Sequence, residues 1–161
     1  MALARRHASV AATSVCGRHR AYLSLCPPRG DRSTVTDIQR NKQTVVEFYE
    51  LAFNAKQPEQ AVEKYLGPQY IQHNPQAPDG ADAFIGFVTG FAGQFPELSI
   101  EIKRVVGEGD IVVTHGLIKT SAEDPGTVAA DFFRLENGKI VEHWDVLQPF
   151  PETSANDHPM F

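Results

Sequence analysis

Only two cysteines occur in the 161 residues, Cys16 and Cys26, and both fall within the first 35 positions. The rest of the chain has none, so its fold needs no disulfide framework. No apolar run approaches the roughly 18–20 residues that span a bilayer, which argues against a transmembrane class. Repeats at solenoid periods and low-complexity tracts of any length are missing. There is no Ser/His/Asp nucleophile motif. There is no glycine-rich phosphate loop either, because Gly107-Glu108-Gly109 is only a two-glycine turn.

What is present suits one soluble domain with a single core. Hydrophobic content of 42% and charged content of 22% are ordinary for such a protein. The charge is uneven. Residues 1–35 carry six Lys+Arg against one acid, Asp31, whereas the remainder carries nine Lys+Arg against nineteen acids. An acidic body argues against nucleic acid as partner, and no segment suggests a membrane. The basic first 35 residues read as a separate object: a disordered or artefactual extension, or an Arg-rich, acid-poor transit peptide. The stretch from Ala8 to Val15 is too weakly apolar for a secretory signal. A cytoplasmic location is expected, or an organelle if the extension is a transit peptide. The expected organisation is the extension over 1–35, a domain over 36–150 and a tail over 151–161.

Along the domain, Thr36-Asp37-Ile38-Gln39 resembles a capping box, and Ile38, Val45, Val46, Tyr49, Ala52 and Phe53 keep a helical period to about Ala55. Pro58 opens a short second helix that Gly67-Pro68 closes. Tyr70–His73 is extended and ends at Asn74-Pro75. A third helix after Asp79-Gly80 carries the stripe Phe84, Val88, Phe91 and Phe95, with Gly86, Gly90 and Gly93 expected to allow close packing on a sheet. Four strand candidates follow: Leu98–Val106, Ile111–Thr120, Thr127–Leu135 and Lys139–Leu147. Helices segregated from a run of strands predict an α+β fold, with helices on one face of an antiparallel sheet.

The last two strands flank Asn137-Gly138, a strong hairpin signal. Asp131, His143 and Asp145 interrupt otherwise apolar strands, as in a pocket lined by a sheet. An even register puts Asp131, Phe133 and Leu135 on one face with Val141, His143 and Asp145, and pairs Arg134 with Glu142 on the other. A plain two-residue turn gives the odd register, so the even one requires a bulge or a three-residue loop.

From Ile38 to Gln148 the chain resembles the SnoaL-like polyketide cyclase branch of the nuclear-transport-factor-2-like (cystatin-like) superfamily. The matching residues are the N-terminal helix, Tyr70-Ile71-Gln72-His73-Asn74-Pro75, Gly80 before an aromatic helix, Gly109-Asp110 before a strand, and Phe133-Arg134 with Asn137-Gly138-Lys139-Ile140-Val141-Glu142-His143-Trp144-Asp145. The resemblance implies a conical α+β half-barrel with an apolar pocket, and a homodimer; the alternating Leu98, Ile100 and Ile102 would suit an outer face packed on a second copy. It also implies cofactor-free acid/base chemistry of the aldol condensation or cyclisation type on a small carbonyl or polyketide-like substrate. The family's acid/base is an Asp at the position of Asp145. At the position of Asp131 those cyclases have His, so this chain departs from them there.

Asp131 beside Asp145 would couple two titrations, or would orient a histidine. Asp131, His143 and Asp145 are therefore the expected catalytic set. His73, Asn74, His115, Phe84, Phe133 and Trp144 are the expected substrate contacts, although Asn74 equally suits a turn and the aromatics equally suit a core. The histidine spacing matches no metal motif, and the resemblance implies cofactor-free cyclases, so no metal or other cofactor is expected. Two other functions fit the same residues. One is a non-catalytic module that binds a small ligand or dimerises; the other is an isomerase, dehydratase or epoxide hydrolase of the same fold.

Overall fold

The computed structural model of the chain describes residues 35–161. Both cysteines and all of the basic extension except Val35 lie outside the described residues. Helix α1 (Val35–Tyr49) runs directly into a π-helical turn (Glu50–Asn54), and α2 (Pro58–Tyr65) follows with proline in its first turn. Strand β1 (Leu66–Gln72) precedes α3 (Ala81–Gln94). The chain then forms β2 (Ser99–Glu108), β3 (Ile111–Lys119), β4 (Thr127–Glu136) and β5 (Lys139–Pro149). The fold is α+β, with three helices against one curved five-stranded sheet in the order β1-β5-β4-β3-β2.

Most expected elements are present, with four differences. Thr36 falls inside α1 and not at its cap. Gly67-Pro68 lies within β1, so the chain passes from helix to strand without a loop. The sheet is mixed, not antiparallel, because β1 pairs parallel to β5. The long segment between β1 and β5 permits this; parallel strands need a crossover connection, and no local signal reports one. Finally, a Cβ built on Gly86, Gly90 or Gly93 would meet nothing within 4 Å, so these glycines serve no close approach. The tight glycine is Gly126, at φ +98° with Leu117 Cδ1 only 2.5 Å from where a Cβ would sit.

The core lies between the helices and the concave face of the sheet. Val45, Phe48, Ala52 and Phe53 from the first helical segment meet Phe84 and Val88 of α3 and Val112, Phe133, Leu135 and Ile140 of the sheet. Phe48 stacks on Phe84 with ring centroids 4.9 Å apart. Burying aromatic side chains of this size contributes about 1.5–3 kcal/mol each. Leu98 and Ile100 belong to this core, at 1% and 8% exposure, and so cannot form the outer face expected for a second copy. Strand alternation shows which residues share a face, not which face is buried.

The β4–β5 hairpin combines both turn possibilities. Asn137 and Gly138 both have positive φ, 52° and 76°, which is the two-residue hairpin turn. Leu135 pairs with Ile140, but Arg134 pairs with Glu142, so Val141 is an extra residue that shifts the register. Beyond this bulge the register is even: Phe133 faces His143 and Asp131 faces Asp145. Arg134 Nε donates to Glu142 at 2.6 Å on the opposite face.

Candidate active site

Strand alternation from the even register carries Asp131, Phe133, His143 and Asp145 to the concave side. There a cavity of about 300 Å³ lies between sheet and helices. Phe53, Phe84, Phe87 and Phe91 supply much of its apolar wall. Tyr49, Tyr70, Gln72, Asn74, His143 and Asp145 supply its polar end. Phe87 and Leu147 remain about half exposed, at 49% and 47%, while also lining the cavity.

The polar end is one connected network. Tyr49, the last residue of α1, donates its hydroxyl to Asp131 Oδ1 at 2.9 Å. Thr114 of β3, paired opposite Asp131, donates to its other oxygen at 3.1 Å. His143 Nε2 lies 3.2 Å from Asp131 Oδ1 and 3.4 Å from the Tyr49 hydroxyl. Phe133 is fully buried behind these groups, with its ring 4.8 Å from His143 and 5.2 Å from Tyr49. It supports the site without lining the cavity.

Gln72 fixes the other side of His143. Its Oε1 accepts the Asn74 backbone N–H at 3.1 Å and lies 2.9 Å from His143 Nδ1. Since Oε1 must be the oxygen to accept from Asn74, Nδ1 must carry a hydrogen. Nε2 then faces the buried Asp131 and the Tyr49 hydroxyl. Asp131 thus lies behind His143 and orients it, while His143 and Asp145 reach the cavity.

Asp145 is held differently. Asn74 Nδ2 donates to Asp145 Oδ2 at 2.7 Å, and Asn74 Oδ1 accepts from the Gln76 backbone N–H at 2.8 Å. One side chain therefore fixes both the turn and the carboxylate. The two tyrosines stay protonated. Burial, reinforced by the Asp131 charge, pushes the Tyr49 phenol well above its ordinary range, and burial with Asp131 and Asp145 does the same to Tyr70. Asp131, His143 and Asp145 each bring a ligand atom within 4.8 Å of the other two, close enough for a divalent cation to bridge.

Besides Phe133, three expected contacts lie away from the cavity. Trp144 pairs with Phe132, out of phase with Asp145, and is therefore on the outer face. His73 stacks on Trp144 at 4.6 Å and approaches Glu142 at 2.8 Å, also outside the cavity. His115 alternates with Thr114, which points to Asp131, so it too faces outward, 3.2 Å from Arg104. Phe84 and Asn74 do line the cavity. Tyr49, Tyr70, Gln72 and Thr114 were not among the expected site residues. The clue for two of them was their place in the Tyr70–Pro75 motif.

Residues 45–143 match the SnoaL-like domain, and the chain belongs to that family. Solved structures share its fold. TsrD from Streptomyces laurentii has a TM-score of 0.58 at 23% identity, covering 66% of this chain and 87% of that one. A protein from Jannaschia sp. CCS1 assigned as a SnoaL-like polyketide cyclase has a TM-score of 0.58 at 22% identity, covering 73% and 90%. One from Bacillus cereus ATCC 10987 assigned as a polyketide cyclase has a TM-score of 0.61 at 19% identity, covering 71% and 78%. No curated protein matches the chain. Among the described residues no helix is long and apolar enough to cross a membrane.

Proposed function

We propose that the protein is an acid/base enzyme acting on a small carbonyl compound, with an aldol-type cyclisation as the reaction and Asp145 as the proton carrier. The observation that carries this reading is Asp145 itself: its carboxylate lines an aromatic cavity and is held through Oδ2 by Asn74. The likeness in fold to proteins assigned as polyketide cyclases supports the same class.

The chemistry asks little more of the protein. A C–H bond beside a carbonyl breaks, its proton passes to Asp145, and the electron pair becomes the enolate. The enolate carbon forms a bond to a second carbonyl carbon of the same molecule, the π pair of that C=O moves to its oxygen, and the resulting alkoxide takes the proton back from Asp145. A positioned carboxyl group of this kind contributes typically ~10²–10⁴-fold. The His143–Asp131 pair, fixed by Gln72, Tyr49 and Thr114, supplies a stable dipolar wall beside the reacting atoms. Asp145→Asn should abolish turnover of a cyclisable diketone while leaving the unfolding midpoint near wild type. Full activity in that variant would remove Asp145 from the mechanism.

The protein is also proposed to be a homodimer through the outer face of the sheet. Val106, Val113, Phe132 and Trp144 are register partners in one row across four strands. Val106 and Val146 are more than 60% exposed on their own chain. An aligned apolar row of this kind supports sheet-to-sheet packing.

A further inference from the structure

Tyr49 and Tyr70 both reach the cavity, but their hydroxyl protons have different fates. The Tyr49 proton is spent on Asp131. The Tyr70 oxygen only accepts, from Gln72 Nε2 at 3.4 Å, and among the described residues no acceptor takes its proton. The orientation of Gln72 cannot be reversed to provide one, because its Oε1 is committed to the Asn74 N–H and His143. Tyr70 is 6% exposed and lines the cavity, so its O–H is a buried donor whose remaining space is the ligand's. Leaving such a donor unmatched costs about 1–3 kcal/mol, which a ligand acceptor oxygen would recover.

Charge narrows the ligand further. Among the described residues that line the cavity there is no lysine or arginine, and Asp145 is the carboxylate. The imidazole on the wall, His143, is already paired with Asp131 behind it, so a ligand anion would meet Asp145 with no unpaired cation to offset it. The volume of about 300 Å³ lies at the small end of ligand pockets.

We infer that the cavity binds a neutral, largely apolar compound of one or two rings through a single acceptor oxygen, which receives the Tyr70 hydroxyl proton. This rests on the proposed function for its choice of a carbonyl oxygen, but binding alone tests it. Tyr70 thereby joins Asp145 as a group that touches the ligand: one takes a proton from carbon while the other donates to the oxygen on which negative charge grows.

The test uses 2-tetralone as a neutral bicyclic ketone, naphthalene as its oxygen-free counterpart and 2-naphthoate as its anionic one, with the full chain. Calorimetry should show wild type binding the ketone, with Tyr70→Phe weakening it about ten-fold while naphthalene affinity stays unchanged. The carbonyl stretch of bound 2-tetralone should move to lower frequency in wild type and return toward its apolar-solvent value in Tyr70→Phe, a shift that a purely structural tyrosine would not produce. 2-Naphthoate should bind at least ten-fold more weakly than the ketone and recover in Asp145→Asn. Equal ketone affinity and an unmoved carbonyl band in Tyr70→Phe would overturn the role of Tyr70. Naphthoate binding as tightly as the ketone would overturn the neutral-ligand assignment. None of these readings requires turnover, so an inactive but ketone-binding protein would defeat the acid/base reading and leave this one standing.

Discussion

Asp131 and Asp145 sit directly opposite each other on β4 and β5, yet they live in different surroundings. Asp131 is 5% exposed and receives hydroxyl protons from Tyr49 and Thr114 on its two oxygens, with His143 against one of them. Asp145 is only partly buried, lines the cavity and is gripped by Asn74. Different neighbours thus divide two identical side chains into a buried, fully bonded group and a carboxylate that faces the cavity.

Asp131→Asn tests that division. An amide nitrogen in place of one oxygen would confront a hydroxyl donor or the His143 nitrogen, so the variant should lose about 1–3 kcal/mol in denaturant unfolding. Asp145→Asn should lose much less, since the new amide oxygen can still accept from Asn74 Nδ2 while its nitrogen faces the cavity. Equal stability of the two variants would mean that Asp131 is not the structural member.

Alkaline unfolding should begin near the ordinary tyrosine range. Burial raises the folded-state values of Tyr49 and Tyr70, so each group adds stability that is full below about 10, where unfolded tyrosine ionises, and is lost as pH climbs towards the folded value. The decline should reach about 1.4 kcal/mol per pH unit for each tyrosine. Tyr49→Phe should be less stable at neutral pH by about 1 kcal/mol through loss of the Asp131 bond, but should fall more shallowly above pH ~10. Parallel decline of the two proteins, followed by circular dichroism, would contradict this.

The acid limb has a different source. Burial alone would raise Glu142, but hydrogen bonds from Arg134 and His73 outweigh it and hold the carboxyl below its ordinary value. A lowered value means stability that is present above about 4.3, the unfolded carboxylate range, and lost as pH falls through the folded value. Glu142→Gln should therefore flatten the stability profile below pH ~4.5 while shifting neutral stability only modestly. An unchanged acid profile would place that sensitivity elsewhere.

Phe132→Glu tests the outer face. A carboxylate in the middle of the Val106–Val113–Phe132–Trp144 row should shift the protein from dimer to monomer in analytical ultracentrifugation, with ketone binding retained because the cavity lies on the other side of the sheet. A dimer that persists unchanged would exclude this face.

The hairpin was the part of the site most legible in sequence. Polar residues spaced two apart, with Arg134 and Glu142 in position to pair, favoured one register, and the Val141 bulge reconciles it with a two-residue turn. Which face each strand turns inward was less legible. His73, His115 and Trp144 carry the chemistry of a pocket, but their phase places them outside, and Leu98 and Ile100 are buried where alternation alone allowed either face. Tyr49 was hidden because a tyrosine on a helical stripe reads as core, and its partners Asp131 and His143 lie 82 and 94 positions away. The parallel pairing of β1 with β5, which brings Gln72 level with His143, has no local signature at all.

Proton exchange at carbon is the most direct measurement of the central claim. Incubated in D₂O with the full chain and followed by NMR, 2-tetralone should exchange its C1 protons faster with wild type than in buffer, and Asp145→Asn should bring the rate down by ~10²-fold or more, towards the buffer rate. Exchange in Asp145→Asn at the wild-type rate, with the ketone bound equally well, would contradict the assignment of Asp145 as the proton carrier.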